Sequence, residues 1–326
     1  MTMRRPFLAL ALAASAAIGL ASAGPARAQA EGEIVYLTPG LDLPFWRYLS
    51  RGIENVADET GYAFSAYDSA NSAQTQLQNA QDAIARGVTG IVISPTDSST
   101  APSVLSLAEA AGIPVVIADI GTNSGEFVSF IISDNYEGAH GVGEALAEAM
   151  QERGWDDGSV GIVSISQARL NGQARTAGFR DALAEGGIEG DAGLQQMQSY
   201  TADETFRFTQ DMLTANPDMR GLFVQTDQPA IGALRAIQAA RRDGEVLVAA
   251  FDGIPDFVGL LQSGELVVSG MQQPYLMGQE SARAMVAHLN GETPEKEILV
   301  PIRVVTSSNI DEVLPEITES VFANDL

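Results

Sequence analysis

Six short apolar segments are spread along the chain, and each of them ends in a polar residue or a turn. The segments are apolar at successive positions, which is the pattern of strands buried on both faces of a parallel sheet. They cover residues 34–37, 91–93, 115–118, 222–224, 247–251 and 267–271. In open α/β sheets a ligand binds beyond the carboxyl ends of the strands. The polar residues that follow these segments are therefore predicted to hold a polar small molecule.

Segments with the spacing of amphipathic helices alternate with these strands from residue 31 onward. Further strands are predicted within 62–67, 128–132, 160–164 and 298–304. Strands that alternate with helices favour parallel sheets with helices on both faces. The predicted helices lie near 44–59, 72–86, 100–111, 136–152, 172–185, 204–215, 228–241, 255–263 and 274–290.

The strands and helices form two blocks, residues 31–134 and 135–272, and each block is long enough to build a sheet of its own. About 300 residues are also more than a single hydrophobic core usually serves. We therefore predict an α/β fold of two doubly wound, parallel-sheet lobes. Residues 133–135 lie between the blocks and are predicted to form a hinge strand.

The first thirty residues have the features of an export signal. Arg4 and Arg5 precede a stretch rich in Ala and Leu, and small residues within 26–30 offer a cleavage site. The arginine pair is also compatible with twin-arginine export. The apolar stretch is too short to span a bilayer. We therefore expect a mature protein that is free in the periplasm of a Gram-negative bacterium.

Composition narrows the possible functions. The chain has no cysteine, which excludes disulfides, thiol catalysis and thiolate metal sites. Its formal net charge of −24 disfavours nucleic acid and anionic membranes as partners. The two histidines, His140 and His288, fall in predicted helices, and the sequence contains no phosphate loop or nucleophile elbow. We therefore expect a binding protein without catalytic activity, cofactor or metal.

The segment 43–46, Leu-Pro-Phe-Trp, begins the first predicted helix. Proline suits the first position of a helix, so the two aromatic residues would occupy its first turn. Phe45 and Trp46 would then lie near the mouth of a cleft, where flat apolar rings complement the C–H faces of a sugar. The alternative is that they anchor the first helix to the core.

Several segments together resemble the periplasmic ribose/galactose-type sugar-binding proteins of ABC importers, which are type I periplasmic binding proteins. These segments are 44–46, 94–98, 133–135, 225–227 with 231–234, and 251–256, and the resemblance spans residues 32–305. It implies two lobes joined by a hinge of three crossovers, with a ligand cleft between them. The implied lobes are 31–134 plus 273–302 and 135–272 plus 303–326.

The resemblance also implies a monomer that delivers a small neutral sugar or polyol to the permease of an ABC importer. The alternative with the same fold is a periplasmic sensor that presents its ligand to a chemoreceptor or sensor kinase. A sugar-dependent repressor would need a DNA-binding segment where this chain has its export signal.

Contacts from both lobes to the ligand are implied as well. Phe45 and Trp46 would stack on the ring, and the polar contacts would come from Ser94, Asp119, Gln173 or Arg175, Tyr200, Thr226, Asp252 and Gln272. The chain departs from ribose binders at Ile120, where they have arginine. Since Ile120 would add apolar surface beside Asp119 and offers no donor, we predict a less hydroxylated or partly apolar ligand.

Overall fold

The computed structural model describes residues 1–2 and 31–326. The predicted export signal therefore lies outside the described residues, except for its first two. Within the described part of the chain, no helix is both long enough and apolar enough to cross a bilayer.

Each of the six apolar segments forms part of a strand. The strands are β1 (Glu33–Thr38), β2 (Ala63–Asp68), β3 (Gly90–Ile93), β4 (Val115–Ala118), β5 (Ser129–Ile132), β6 (Ser159–Ser164), β7 (Gly190–Gln196), β8 (Met219–Val224), β9 (Leu247–Phe251), β10 (Val268–Met271), β11 (Glu297–Leu299) and β12 (Arg303–Thr306).

Helices lie between most of these strands. They are α1 (Pro44–Thr60), α2 (Ala73–Arg86), α3 (Ala101–Ala111), α4 (Asn135–Gln151), α5 (Leu170–Glu185), α6 (Ala202–Ala215), α7 (Ala230–Ala239), α8 (Asp256–Ser263), α9 (Pro274–Leu289) and α10 (Ile310–Ser320).

The strands form two six-stranded sheets, which confirms the prediction of two α/β lobes. The strand order is β11-β5-β4-β3-β1-β2 in the first lobe and β12-β10-β9-β8-β6-β7 in the second. Neighbouring strands are parallel except for β12, which pairs antiparallel with β10. The antiparallel strand departs from the predicted all-parallel sheets.

Alternate residues of the central strands pack into two different cores, one on each face of the sheet. In β1, Ile34 and Tyr36 belong to one apolar cluster, whereas Val35 and Leu37 belong to the cluster on the opposite face. The four side chains are fully buried. Burial on both faces explains why these segments are apolar at successive positions instead of alternating with polar residues.

The chain passes between the lobes three times, after β5, after β10 and between β11 and β12. The prediction of one strand over 298–304 is wrong, because β11 and β12 belong to different sheets. Pro301 lies between them and has no N–H to donate to a ladder. At the first crossing, residues 133–135 lead into α4 without forming a strand, and Asp134 caps that helix by accepting from Glu137 N.

Two elements were not predicted. β7 has the sequence GDAGLQQ, which is too polar to stand out as a buried strand, and it lies at the edge of its sheet. α10 follows the last strand and packs near α8 and β12. The domain bounds 134/135, 272/273 and 302/303 stay a prediction, since sheet membership does not define independently folding units.

Candidate functional site

Two aspartates occupy equivalent positions in the two lobes. Asp119 directly follows β4 and Asp252 directly follows β9, and each of these strands lies next to the strand after which the chain leaves its lobe. Their φ angles are 65° and 61°, in the left-handed region that costs about 1–3 kcal/mol for residues other than glycine. Their backbone N–H groups nevertheless bond to Ile131 O and Gly270 O on the adjacent strand. The backbone turn at each aspartate therefore ends the strand and holds the Asp side chain at the carboxyl end of the sheet.

Arg175 is the buried cation of the site. It lies on α5, its guanidinium is 4.0 Å from the centre of the Phe251 ring, and its Nη1 is 3.4 Å from Asp252 Oδ2. Nε donates to Asn135 Oδ1 at 2.8 Å and Nη1 donates to Gln225 O at 2.7 Å. These contacts fix the plane of the guanidinium beside the carboxylate of Asp252.

Burial raises the pKa of both aspartates, and Arg175 opposes that effect. The pKa of Asp119 is raised to about 6 by desolvation, while Arg175 lowers it and Asp252 raises it. The pKa of Asp252 is raised by desolvation, while Arg175 and the hydrogen bond from Gln272 lower it. The guanidinium of Arg169 also lowers the pKa of Asp119. The site therefore holds two desolvated acceptors close to Arg175, with a second buried guanidinium nearby.

Three acceptor oxygens in this cluster have no hydrogen-bond partner among the described residues. Asp119 Oδ2 accepts from Asn171 Nδ2 at 3.1 Å, and Asp252 Oδ1 accepts from Gln272 Nε2 at 2.8 Å. The remaining oxygens of three of these side chains, Asp119 Oδ1, Asn171 Oδ1 and Gln272 Oε1, are buried and unpaired. A buried acceptor without a donor costs about 1–3 kcal/mol. The cluster therefore suits a ligand that donates several hydrogen bonds, such as a molecule with vicinal hydroxyl groups.

Aromatic side chains close the cluster on one side. Pro44 begins α1, and its ring has no N–H that would need a partner at this position. Phe45 and Trp46 follow in the first turn with their ring centroids 4.7 Å apart in an edge-to-face arrangement. Tyr200 faces them from the second lobe, with the guanidinium of Arg169 5.2 Å from its ring centre.

The two lobes contact each other directly around the cluster. Arg169, which is 5% exposed, belongs to the second lobe and donates from Nε to Thr96 O and from Nη2 to Asn71 Oδ1, both at 2.9 Å. The fully buried Asp227 also belongs to the second lobe, and its Oδ2 accepts from Phe45 N at 3.3 Å. The described arrangement is therefore a closed one.

Most of the predicted contact residues line one cavity between the lobes, which we call the inner cavity. Those residues are Phe45, Trp46, Asp119, Arg175, Tyr200, Thr226, Asp252 and Gln272. The cavity comprises about 20 Å³, which is room for about one water molecule. A sugar ring would thus require the lobes to part slightly or the lining side chains to move.

Three predicted contact residues lie outside the inner cavity. Ser94 is fully buried and bonds to the Tyr36 hydroxyl at 2.9 Å. Ile120 is fully buried in the core of the first lobe, so the ligand preference inferred from it has no support in this geometry. Gln173 is exposed and donates to Gln167 O at 2.8 Å, so Arg175 is the member of that pair that lies in the cluster.

Several further residues line the inner cavity. They include Leu43, Ile165, Arg169 and Asn171, and Asp227 lies at the lobe contact beside it. Ile165, Asn171 and Asp227 are not predicted as contacts from the sequence. Arg169 and Asn171 follow the carboxyl end of β6, so the rule that located the other polar residues applies to them too. Asp227 ends the segment Gln-Thr-Asp after β8, in which the sequence predicts only Thr226 as a ligand contact.

Comparisons with known proteins agree on one family. The family model described as "Periplasmic binding protein domain" matches residues 34–293. The ribose import binding protein RbsB of Escherichia coli is 32% identical over 289 residues, which are 89% of this chain and 95% of that protein. The D-apiose import binding protein of Actinobacillus succinogenes is 30% identical over 283 residues, which are 85% of this chain and 89% of that protein.

A solved structure supports the fold. The carbohydrate transporter solute binding protein from Agrobacterium radiobacter, in complex with D-arabinose, superposes with a TM-score of 0.82. The superposition covers 90% of this chain and 99% of that one. At 24% identity this likeness speaks for the fold alone.

Proposed function

Since this chain belongs to the periplasmic sugar-binding proteins of ABC importers, we propose that it captures a small neutral sugar or polyol between its lobes. The observation that carries this proposal is the cluster of Asp119, Asp252 and Arg175, with unpaired acceptor oxygens beside two aromatic rings. Each charge-assisted hydrogen bond from a ligand hydroxyl contributes about 1.5–3 kcal/mol. Two such bonds with aromatic contact amount to about 8 kcal/mol, which corresponds to micromolar affinity.

The ligand contacts that we propose come from both lobes. Asp119, Phe45 and Trp46 belong to the first lobe, and Asp252 and Arg175 belong to the second. A ligand held by both sets of side chains stabilises the closed arrangement over the open one.

The proposed location is the periplasm. The relatives are import binding proteins, and the first thirty residues carry the features of an export signal. The captured sugar would pass to the permease of an ABC importer. No feature of the described residues favours the alternative role of a sensor subunit.

A thermal-shift screen tests the proposed function. Pentoses, hexoses, polyols and amino sugars are compared with amino acids and dicarboxylates as control ligands. A ligand present at about 100 times its Kd adds about 2.7 kcal/mol of stability and raises Tm by several degrees. We expect such a rise with at least one neutral sugar or polyol. A rise with amino acids or dicarboxylates and with none of the sugars would contradict the proposal.

A further inference from the structure

A second and much larger space adjoins the inner cavity. This outer cavity comprises about 360 Å³ and lies between the loops that follow β1 and β2 in the first lobe and the loop that follows β7 in the second. Since β2 and β7 are the edge strands farthest from the crossings, the outer cavity lies at the open end of the cleft. Its volume is within the range of about 300–1,000 Å³ that is typical of small-molecule sites.

The two cavities share part of their walls. Both are lined by Leu43, Trp46, Arg169 and Tyr200. A molecule bound at the inner cluster would therefore be separated from the outer cavity only by these side chains. Trp46 and Tyr200 come from opposite lobes and offer two aromatic surfaces at this boundary. A sugar ring binds well between such surfaces, since its C–H faces are apolar.

Arg169 supplies a fixed donor at the boundary. Its Nε and Nη2 are used in bonds to the first lobe, whereas Nη1 has no hydrogen-bond partner within residues 1–2 and 31–326. The side chain is 5% exposed, so its guanidinium is held in place by the contacts that it already makes. A ligand hydroxyl could accept from Nη1 without any rearrangement of Arg169.

The polar side chains in the rest of the outer cavity favour an uncharged molecule. Asn71, Gln198 and Ser199 offer neutral donors and acceptors, and Asp42 and Asp68 contribute two carboxylates. These carboxylates disfavour a phosphate or another anion at this place. They can accept hydrogen bonds from the hydroxyl groups of a neutral ligand.

We propose that the outer cavity is a second carbohydrate subsite and that the ligand extends beyond a single ring. The preferred ligand class is a neutral disaccharide or glycoside, with one end at the inner cluster and a ring-sized remainder between Trp46, Tyr200 and Gln198. This inference rests on the proposed function, since it assigns the class of ligand for the same cleft.

Calorimetry with matched sugar pairs tests the subsite. The probes are D-xylose with xylobiose, D-galactose with lactose, and D-glucose with cellobiose. In at least one pair we expect the disaccharide to bind about tenfold more tightly than its monosaccharide. The variant Gln198→Trp fills the outer cavity, so it should abolish this difference and leave monosaccharide affinity within about twofold. The control variant Gln195→Trp places the same side chain at an exposed position of β7 that lines neither cavity.

The possible outcomes distinguish a failure of the second subsite from a failure of the proposed function. If monosaccharides bind and no disaccharide binds more tightly, the second subsite is refuted and the proposed function stands. If Gln198→Trp weakens monosaccharides and disaccharides equally, or if Gln195→Trp abolishes the difference as well, the assignment to the outer cavity is refuted. If neither sugar of any pair binds, and the thermal-shift screen also finds no sugar, both proposals fail.

Discussion

Asp227 caps a helix that belongs to the opposite lobe. The start of α1 has no side-chain cap of its own, because its N-cap residue is Leu43 and its first residue is Pro44. Asp227 Oδ2 accepts from Phe45 N at 3.3 Å, so the second lobe supplies the missing cap when the lobes are closed. Asp227 lines neither cavity. We therefore expect it to control closure without touching the ligand.

The closed arrangement changes the titration of Asp227. The pKa of Asp227 is raised to about 7, chiefly by burial and also by the charge of Asp252, while hydrogen bonds from Gln228 N and Phe45 N lower it. With the lobes open the carboxyl group would be hydrated and titrate near its ordinary value of about 4. Because the pKa is higher in the closed state, closure takes up a proton. It is favoured at acid pH, and this advantage is lost as the pH rises through about 7.

The size of this effect follows from the shift. Three pKa units correspond to at most about 4 kcal/mol, which is the cost of burying the ionised carboxylate above pH 7. The hydrogen bond from Phe45 N lowers the pKa, so its contribution is already included in this figure. Most of this cost is already in place by pH 6.5, because it builds up between the open-state and closed-state pKa values. With a closed-state pKa of about 7, we therefore expect sugar affinity to fall by a further factor of about four between pH 6.5 and pH 8.

The variant Asp227→Asn tests the effect of the carboxylate charge separately from that of the hydrogen bond. Its amide oxygen can still accept from Phe45 N, but no carboxylate has to be desolvated on closure. We expect its affinity to be nearly independent of pH between 6.5 and 8 and to exceed that of the unmodified protein at pH 8. The assay is calorimetric titration, at several pH values, with the sugar that gives the largest rise in Tm. Restricting the range to pH above 6.5 limits the contribution of Asp119, whose pKa is raised to about 6.

Asp256→Asn is the matched control. Asp256 is an exposed acid in the first turn of α8, within a single lobe, so its removal should leave the pH profile unchanged. Constant affinity of the unmodified protein between pH 6.5 and 8 would refute the reasoning. So would an Asp227→Asn variant with the same decline as the unmodified protein.

Two further predictions concern the cleft. Asp252→Ala should leave the fold intact and weaken sugar binding by about 2–4 kcal/mol, since the ligand hydroxyls and Gln272 lose their buried acceptor. A loss of affinity of less than about threefold by calorimetry would show that Asp252 does not contact the ligand. Small-angle scattering should show a smaller radius of gyration at ligand saturation than without ligand, because the sugar favours the closed arrangement; an unchanged radius would contradict closure on binding.

Much of the fold follows from local sequence patterns. A strand that is buried on both faces must be apolar at successive positions, so the segments 34–37 and 247–251 indicate their strands without reference to the rest of the chain. Helices between them then require parallel sheets. The prediction of one strand over 298–304 is wrong because apolar residues lie on both sides of Pro301, where the chain changes sheets. Apolar spacing reports burial, and it does not report which of two sheets buries a strand.

Part of the candidate site also follows from local sequence patterns. Asp119 and Asp252 follow apolar strands, so the sequence alone places both at the carboxyl ends of the sheets. Ser94 also follows such a strand, yet its hydroxyl bonds to Tyr36 within the first lobe. The sequence does not distinguish these cases, because the direction of a side chain beyond a strand depends on the backbone turn and on its neighbours. The φ angles of Asp119 and Asp252 are positive, and a sequence does not display them.

What the sequence determined by itself is the set of local properties: the strands, the helices, the two lobes and the polar residues where strands end. Only the tertiary structure decided which of those polar residues meet. Arg169 and Asp227 act across the cleft on Thr96 and Phe45, more than 70 positions away along the chain. Such contacts depend on how two independently built lobes close, and periodicity within either lobe carries no information about that closure.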